Sequence, residues 1–483
     1  MRVLMLGWEF PPFIAGGLGT ACHGLTRALD RLGHEILFVL PRPVDKSLAS
    51  HVRMFSPEAM AGRAQAGSVN VAGDVAWDEA GAPAQGEAAS PAFTRTRFVG
   101  VPASFSSPYP VFVKKRSVRT VKVGADETAG GTNFEFETDG DALAEDLALV
   151  HGGGGGGGAD HGPTRFGKSG AGTGYQGDLF AEAERYARLV VALTKGEGFD
   201  VIHAHDWLTF PAGQAVARVS GKPLIVHVHS TEFDRSGEHI NQRVYDIERR
   251  GMHSSMKVVC VSELTKSICT RRYDMDPGRV EVVYNGIDSD NVQPRPGDMI
   301  RSKDKIVLFL GRITMQKGPE YFIGAAKKVL EKVPEAKFII AGSGDMELRM
   351  IELAAELGIG HRVLFTGFLR GKDVDRAYQM ADCYVMPSVS EPFGLAPLEA
   401  MRQDVPVIIS KQSGVSEVLS HALKVDFWDT HDIANKIVAV LRHPPLSQTL
   451  REHGSFELRQ LTWEGAAKAC EKIYGWVSTG RGL

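Results

Sequence analysis

Cysteine is scarce in this chain, with 5 in 483 residues. Cys22, Cys260, Cys269, Cys383 and Cys470 are scattered and odd in number. That spacing excludes a disulfide framework and a cysteine zinc site. It suits a reducing compartment, so the expected location is the cytoplasm. No apolar run is long enough to span a bilayer, and no transmembrane segment is expected. The first residues lack the charged, apolar and small-residue layout of a secretory signal. No block of one charge sign stands out either. The net charge of -3 reflects Lys+Arg 55 against Asp+Glu 58, mixed along the chain. With no aromatic-basic pattern, nucleic acid is not an expected partner.

Alternation is what the chain has. Apolar runs at 2–8, 35–40, 200–205, 223–229, 257–261 and 280–284 read as strands. Helix periodicity at 20–32, 180–193, 210–219, 240–253 and 263–273 falls between them. The polar stretch 288–305 reads as a linker. Strands at 306–310, 338–341, 363–366, 383–386 and 405–409 follow, with helices starting near Pro319, Met346, Lys372 and Pro397. Such alternation predicts parallel sheets covered on both faces. The expected fold class is α/β: two doubly wound Rossmann-like domains facing a cleft, where ligands bind outside the strands' carboxyl ends. The expected boundaries are 1–290 for the first domain, 291–455 for the second and 456–483 for a terminal helical segment. The irregular stretch 56–178 interrupts the first domain. Within it, 94–101 and 120–124 read as hairpin strands, and the glycine run after His151 reads as a mobile loop.

Candidate chemistry sits at strand ends. Glu391-Pro392-Phe393-Gly394-Leu395-Ala396-Pro397-Leu398-Glu399 follows the 383–386 strand. Glu391 belongs to the loop and Glu399 to the next helix. The Gly394 and Leu395 amides open that helix, where free N–H groups and the dipole favour an anion. A phosphate between carboxylates suits a phosphorylated polyol such as a nucleotide sugar; the plainer reading is acidic capping. Gly16-Gly17-Leu18-Gly19 follows the first strand and lets backbone approach a ligand, with Thr20 as a helix cap. Its third glycine lies at the wrong spacing for a dinucleotide fingerprint. Arg312 and Lys317 flank the loop after 306–310 and suit a diphosphate, or are solvated surface charges. His203-Ala204-His205-Asp206-Trp207 and His227-Val228-His229 end two strands. A zinc reading is set aside because two strand-end pairs need not converge and no helical His-x3-His occurs. Satisfied sheet-edge histidines and sugar contacts remain.

Two motif matches are decoys. Gly162 to Ser169 has the letters of a P-loop but lacks a flanking strand and helix. Asp139-Gly140-Asp141 shares its spacing with Asp274/Asp276, Asp288/Asp290 and Asp373/Asp375, so it has no specificity. Trp463, Ala466, Ala467, Cys470, Ile473, Tyr474 and Val477 form an apolar stripe read as core packing.

In their order, the Gly-Gly loop, His-Asp-Trp, the strand ending at His229, Tyr284-Asn285-Gly286-Ile287-Asp288, Arg-x4-Lys-Gly and Glu-x7-Glu resemble B-type retaining glycosyltransferases of the glycogen and starch synthase superfamily. The resemblance covers nearly the whole chain outside the insertion. It implies a nucleotide-sugar co-substrate, UDP- or ADP-glucose, with no metal and no other cofactor. It also implies retention at the anomeric carbon, an α-1,4-glucan acceptor and a last helix crossing back to the first domain. Carried over by position, His229 contacts the donor sugar, and Asp206 and Asn285 its hydroxyls. Arg312 and Lys317 hold the diphosphate, Glu391 lies by the sugar ring, and Glu399 binds the ribose. Ile14-Ala15 replace the lysine neighbourhood of bacterial and plant starch synthases. The resemblance therefore runs to the sister family of archaeal-like glycogen synthases and polysaccharide transferases. Another polysaccharide or glycolipid transferase, or an epimerase on the same fold, is the alternative.

Overall fold

The structure, a computed structural model, describes residues 1–10, 17–43, 94–103, 179–288 and 304–479. Several sequence expectations lie outside them: Gly16, Ile14-Ala15, Asp139 and Asp141, the 120–124 segment, the glycine run after His151, the 162–169 motif and nearly all of the 288–305 linker.

The strands are β1 (Arg2–Leu6), β2 (Glu35–Pro43), β3 (Thr96–Ala103), β4 (Val201–His205), β5 (Leu224–Val228), β6 (Lys257–Cys260) and β7 (Val280–Val282). They form one 7-stranded sheet in the order β3-β2-β1-β4-β5-β6-β7. A second, 6-stranded sheet follows. It comprises β8 (Lys305–Leu310), β9 (Ala336–Ala341), β10 (Val363–Gly367), β11 (Cys383–Met386), β12 (Val407–Ser410) and β13 (Leu423–Val425), in the order β10-β9-β8-β11-β12-β13. The pairings within both sheets are parallel. Residues of β1 and β4 are buried on both sides, as a sheet with two covered faces requires.

Strand alternation sorts the cores. Leu4 and Leu6 pack with Tyr186, Val190 and Phe210 on one face. Val3 and Met5 pack on the other with Cys22, Leu25, Trp463 and Tyr474. The whole apolar stripe from Trp463 to Val477 is buried. The helix Trp463–Ser478 therefore crosses back onto the first sheet, with Trp463 closely seated on Gly24.

Local departures from the sequence reading have identifiable causes. Segment 94–103 is no hairpin: β3 runs parallel to β2 at the sheet edge. The buried carboxylate of Asp30 accepts bonds from Thr94 N, Arg95 N and Thr96 Oγ1 at 2.9, 2.7 and 2.6 Å. These pin the start of β3 beside the start of β2. The first helix begins at Gly17, so Thr20 lies inside it instead of capping it. The expected helix 240–253 begins at Gln242, after Asn241 accepts from Arg243 N and Val244 N. A short helix, Glu232–Ser236, precedes it, opened by a Thr231/Asp234 capping box. β13 and the helices Thr430–Arg442 and Pro444–Leu458 had no counterpart in the sequence reading.

Candidate active site

Each sheet reverses its strand order once, between β1 and β4 and between β8 and β11. At such a point neighbouring loops diverge and open a crevice outside the carboxyl ends. Glu9 follows β1 and Asp206 follows β4. The 311–317 loop follows β8, and the 387–394 loop follows β11.

On the second-domain side, charge is concentrated and braced. The Lys317 ammonium donates to the buried Glu391 carboxylate, which also accepts from Ser388 Oγ at 3.3 Å. The Glu391 backbone is tied to the neighbouring segment by Glu391 N to Gln412 O and Gly414 N to Glu391 O, each 2.9 Å. Buried Gln316 joins the two loops. It accepts from Arg312 Nη2 at 3.4 Å, and its carbonyl accepts Val389 N at 2.9 Å. Gly318 has φ 61, and a Cβ there would lie 2.2 Å from Pro387 O, so only glycine lets these loops meet. Gly394, at φ 105, precedes the helix Leu395–Arg402. Glu399, half-buried one turn inside that helix, accepts from Tyr378 Oη at 2.9 Å. Burial raises its carboxyl pKa, opposed by Tyr378 and Arg402.

The first-domain side is rich in neutral imidazole. Register places His205 of β4 opposite His227 of β5. The histidine pairs therefore do converge, which corrects the sequence reasoning. His203 Nε2 meets His227 Nδ1 at 3.2 Å, and His205 Nδ1 meets His229 Nε2 at 2.9 Å. Tyr474, from the crossing helix, meets His203 Nδ1 at 2.6 Å. Burial lowers the pKa of His203 and of His229 to about 3, and those of His205 and His227 well below the usual value. Ligand atoms of His203, His205 and His227, and of Cys22, His205 and His229, lie within 4.8 Å of one another. Among the described residues, these two sets bring enough ligand atoms together to approach a metal. Asp206 has φ 58, a sparsely populated conformation for a non-glycine residue. Its Oδ1 accepts His229 N at 2.7 Å. Burial pushes its pKa up to about 7, against those backbone bonds and Arg235.

Contacts across the crevice hold the two sides together. Ser390 Oγ donates to Asp234 Oδ1 at 2.5 Å, and Ser262 Oγ to Pro392 O at 2.6 Å. Glu417 accepts from Glu263 N and Leu264 N at 2.9 and 2.7 Å. Leu395 packs against apolar clusters of both domains. Arg312 pulls down the pKa of buried Glu9, which burial raises.

The structure thus groups Arg312, Lys317, Glu391, Gly394 and Leu395 on one wall, and His229, Asp206 and the Gly17 helix start on the other. Asn285 is buried beyond β7, where Ile287 N bonds Leu461 O. Glu9, Ser390 and Asp234 were missed by sequence reasoning. A carboxylate directly after the apolar β1 was the available signal for Glu9; the other two depend on which loops meet. A small recess of about 20 Å³, lined by Trp8, Glu9, Leu18, Asp206, Trp207, Leu208 and Arg235, lies at the crevice. A larger one of about 530 Å³, lined by Arg2, Glu35, Asp200 and Lys222 among others, lies at the opposite, amino edge of the first sheet. The strand ends and the grouped charges make the former edge the candidate site.

Family models match in three stretches: Starch synthase catalytic domain at residues 2–81, Glycosyltransferase Family 4 at 162–291, and Glycosyl transferases group 1 at 295–455. An uncharacterized glycosyltransferase of Methanocaldococcus jannaschii is 36% identical over 236 residues, covering 46% of this chain and 60% of that protein. The glycogen synthase of Mycobacterium tuberculosis is 24% identical over 487 residues, covering 98% of this chain and 94% of that one. Among solved structures, the Anabaena protein HepE in complex with UDP and glucose superposes with a TM-score of 0.61 at 15% identity, over 98% of this chain and 99% of that one.

Proposed function

From the premise that this chain belongs to the glycosyltransferases of the glycogen and starch synthase superfamily, we propose that it moves glucose from a nucleotide-sugar donor to the non-reducing end of an α-1,4-glucan. The observation that carries this reading is the convergence of Arg312, Lys317 and Glu391 at one crevice wall opposite His229 and Asp206. As the glycosidic bond breaks, negative charge grows on the departing diphosphate and positive charge on the sugar ring. Arg312, Lys317 and the Gly394–Leu395 amides answer the first, and Glu391 the second. On this reading Glu399 holds the ribose, and Gly17, Asp206 and Asn285 serve the sugar and diphosphate. The departing phosphate oxygen takes the acceptor's proton on the attacked face, so the anomeric configuration is retained. The cationic side chains fill the place a divalent ion takes at a diphosphate, so the reaction runs without metal. HepE with UDP and glucose supports a UDP-linked donor, and the glycogen synthase match along almost the whole chain supports a glucan acceptor. The free thiols of all five cysteines support a cytoplasmic setting.

The test offers UDP-glucose and ADP-glucose separately, with and without glycogen and with a strong chelator present. Acceptor-dependent extension that survives chelation is the expected result. Epimerised donor without acceptor would establish the epimerase instead. Activity abolished by the chelator and restored by a divalent ion would refute the metal-free route.

A further inference from the structure

The imidazoles on β4 and β5 include one that sugar transfer, as described, leaves without a task. His205 is fully buried, meets His229 Nε2 through its Nδ1 at 2.9 Å, and leaves its own Nε2 buried with no partner among the described residues. The ring centres of His205 and His229 are 5.2 Å apart and their planes 31° from parallel. The two ring radii and the N···N gap together make up about that separation, so the nitrogens lie near the line joining the centres. This is the geometry of an N–H···N bond. Shared coordination would turn both lone pairs toward a third point.

The far nitrogen of His205 decides which ring donates. A neutral imidazole carries one donor and one acceptor. Were His229 the donor, His205 would hold its hydrogen on Nε2, a buried N–H without an acceptor. With His205 as donor, Nε2 is a bare lone pair. Buried N–H groups without an acceptor are rarer than acceptors without a donor, so the second arrangement is favoured.

We infer that His205 is a positioning residue: its Nδ1–H fixes His229 as the tautomer bearing hydrogen on Nδ1, which presents an N–H to a hydroxyl of the donor sugar. The inference rests on the sugar-contact reading of His229. Two further contacts restrain the same residue. Asp206, next in sequence to His205, accepts the His229 backbone N–H at 2.7 Å. The His227 ring stacks on His229 with centres 4.2 Å apart.

Nitrogen-15 spectra of the full chain near neutral pH test this directly, with the His229 signals assigned by their loss in His229→Asn. Hydrogen on His229 Nδ1 is the expected result; hydrogen on Nε2 overturns the inference, whatever the variants do. His205→Leu removes the donor, and His205→Asn returns an amide N–H near the same place. The Leu variant should lose about tenfold or more in kcat, as when outer partners of functional histidines are removed. Its KM for the donor should stay within about twofold, and the Asn variant should recover most of the loss. A folded Leu variant with wild-type kcat, or an Asn variant no better than Leu, overturns the positioning role. His229→Ala separates the two readings: wild-type activity there removes the sugar contact itself, whereas loss there beside a fully active His205→Leu removes only the role of His205.

Discussion

The two walls of the crevice use opposite chemistry. The second-domain wall carries full charges in contact: Lys317 on Glu391, with Arg312 braced by Gln316. The first-domain wall carries buried imidazoles whose pKa values are so depressed that they are neutral at physiological pH. A wall that stabilises developing charge needs fixed charges there before reaction; a wall that orients hydroxyls needs neutral donors and acceptors. On the proposed function, this difference puts the bond-breaking step on the second domain and sugar placement on the first.

The most direct way to break this comparison is to delete charges from one wall. Arg312→Ala, Lys317→Ala and Glu391→Ala should each lower kcat by about a hundredfold or more, the size seen when a preorganised electrostatic donor is lost. Because Lys317 and Glu391 touch, their double variant should lose far less than the two single losses combined. Steady-state kinetics on variants with unchanged melting behaviour is the measurement. If all three single variants turn over near wild type, these residues are surface charges and a capping acid.

The neutral wall makes its own prediction, in stability. His203 has a folded pKa of about 3 against an ordinary 6.5. As pH falls below 6.5 the unfolded chain takes up a proton that the folded chain refuses. The His203 contribution is therefore fully present above pH 6.5 and is lost as pH drops from there toward about 3. The slope reaches up to about 1.4 kcal/mol per pH unit. Asp206, raised to about 7 by burial, has the opposite sign, since its folded form keeps a proton that the unfolded form has released. The wild-type slope mixes these two with the other lowered imidazoles, so the test compares slopes. Urea unfolding between pH 5.5 and 6.5 should show a shallower acid slope in His203→Gln than in wild type. Equal slopes would mean that His203 is charged in the fold.

The charged wall was largely legible in the sequence because its signals are local. Glycines, a strand end and two carboxylates with seven residues between them fix where Glu391 and Glu399 fall on loop and helix. The imidazole wall was legible only in parts. Alternation shows that His227 and His229 share a face, but the pairing of His205 with His227 depends on β4 and β5 being neighbours, a long-range fact. Thr94 to Thr96 on Asp30 had the same difficulty: strand character could be read, but partner and direction were set by a buried carboxylate distant in sequence. Gly16 and the 162–169 motif lie outside the described residues.

Glu399 sharpens the comparison from inside the charged wall. Its proposed partner, the ribose, does not change charge during transfer, so its contribution should be equal in ground and transition states. Glu399→Ala should raise KM for the nucleotide sugar by about tenfold and lower kcat less. Removing it also strips the acceptor from buried Tyr378, so Glu399→Gln, which keeps an acceptor oxygen, controls for lost stability. A kcat loss as large as that of Glu391→Ala would move Glu399 into the bond-breaking step.

The smallest effect expected concerns the contact that joins the walls. Ser390 precedes Glu391, and its hydroxyl donates to Asp234, whose other oxygen accepts Thr231 N at 2.7 Å. The bond thus runs from the Glu391 loop to the turn just beyond His229. Asp234→Ala is a poor probe, because it also destroys the capping box of the helix Glu232–Ser236. Ser390→Ala removes only the hydroxyl and one hydrogen bond, worth about 1 kcal/mol net. That corresponds to about a fivefold fall in kcat/KM if the bond forms with the walls together in the reacting complex, with melting temperature nearly unchanged. Adding His229→Ala to Ser390→Ala then asks whether the bond acts through His229. If the Ser390 effect disappears once His229 is gone, the bond serves to align the walls. If it persists at full size, it serves the charged wall alone, and the two walls work more independently than their contact suggests.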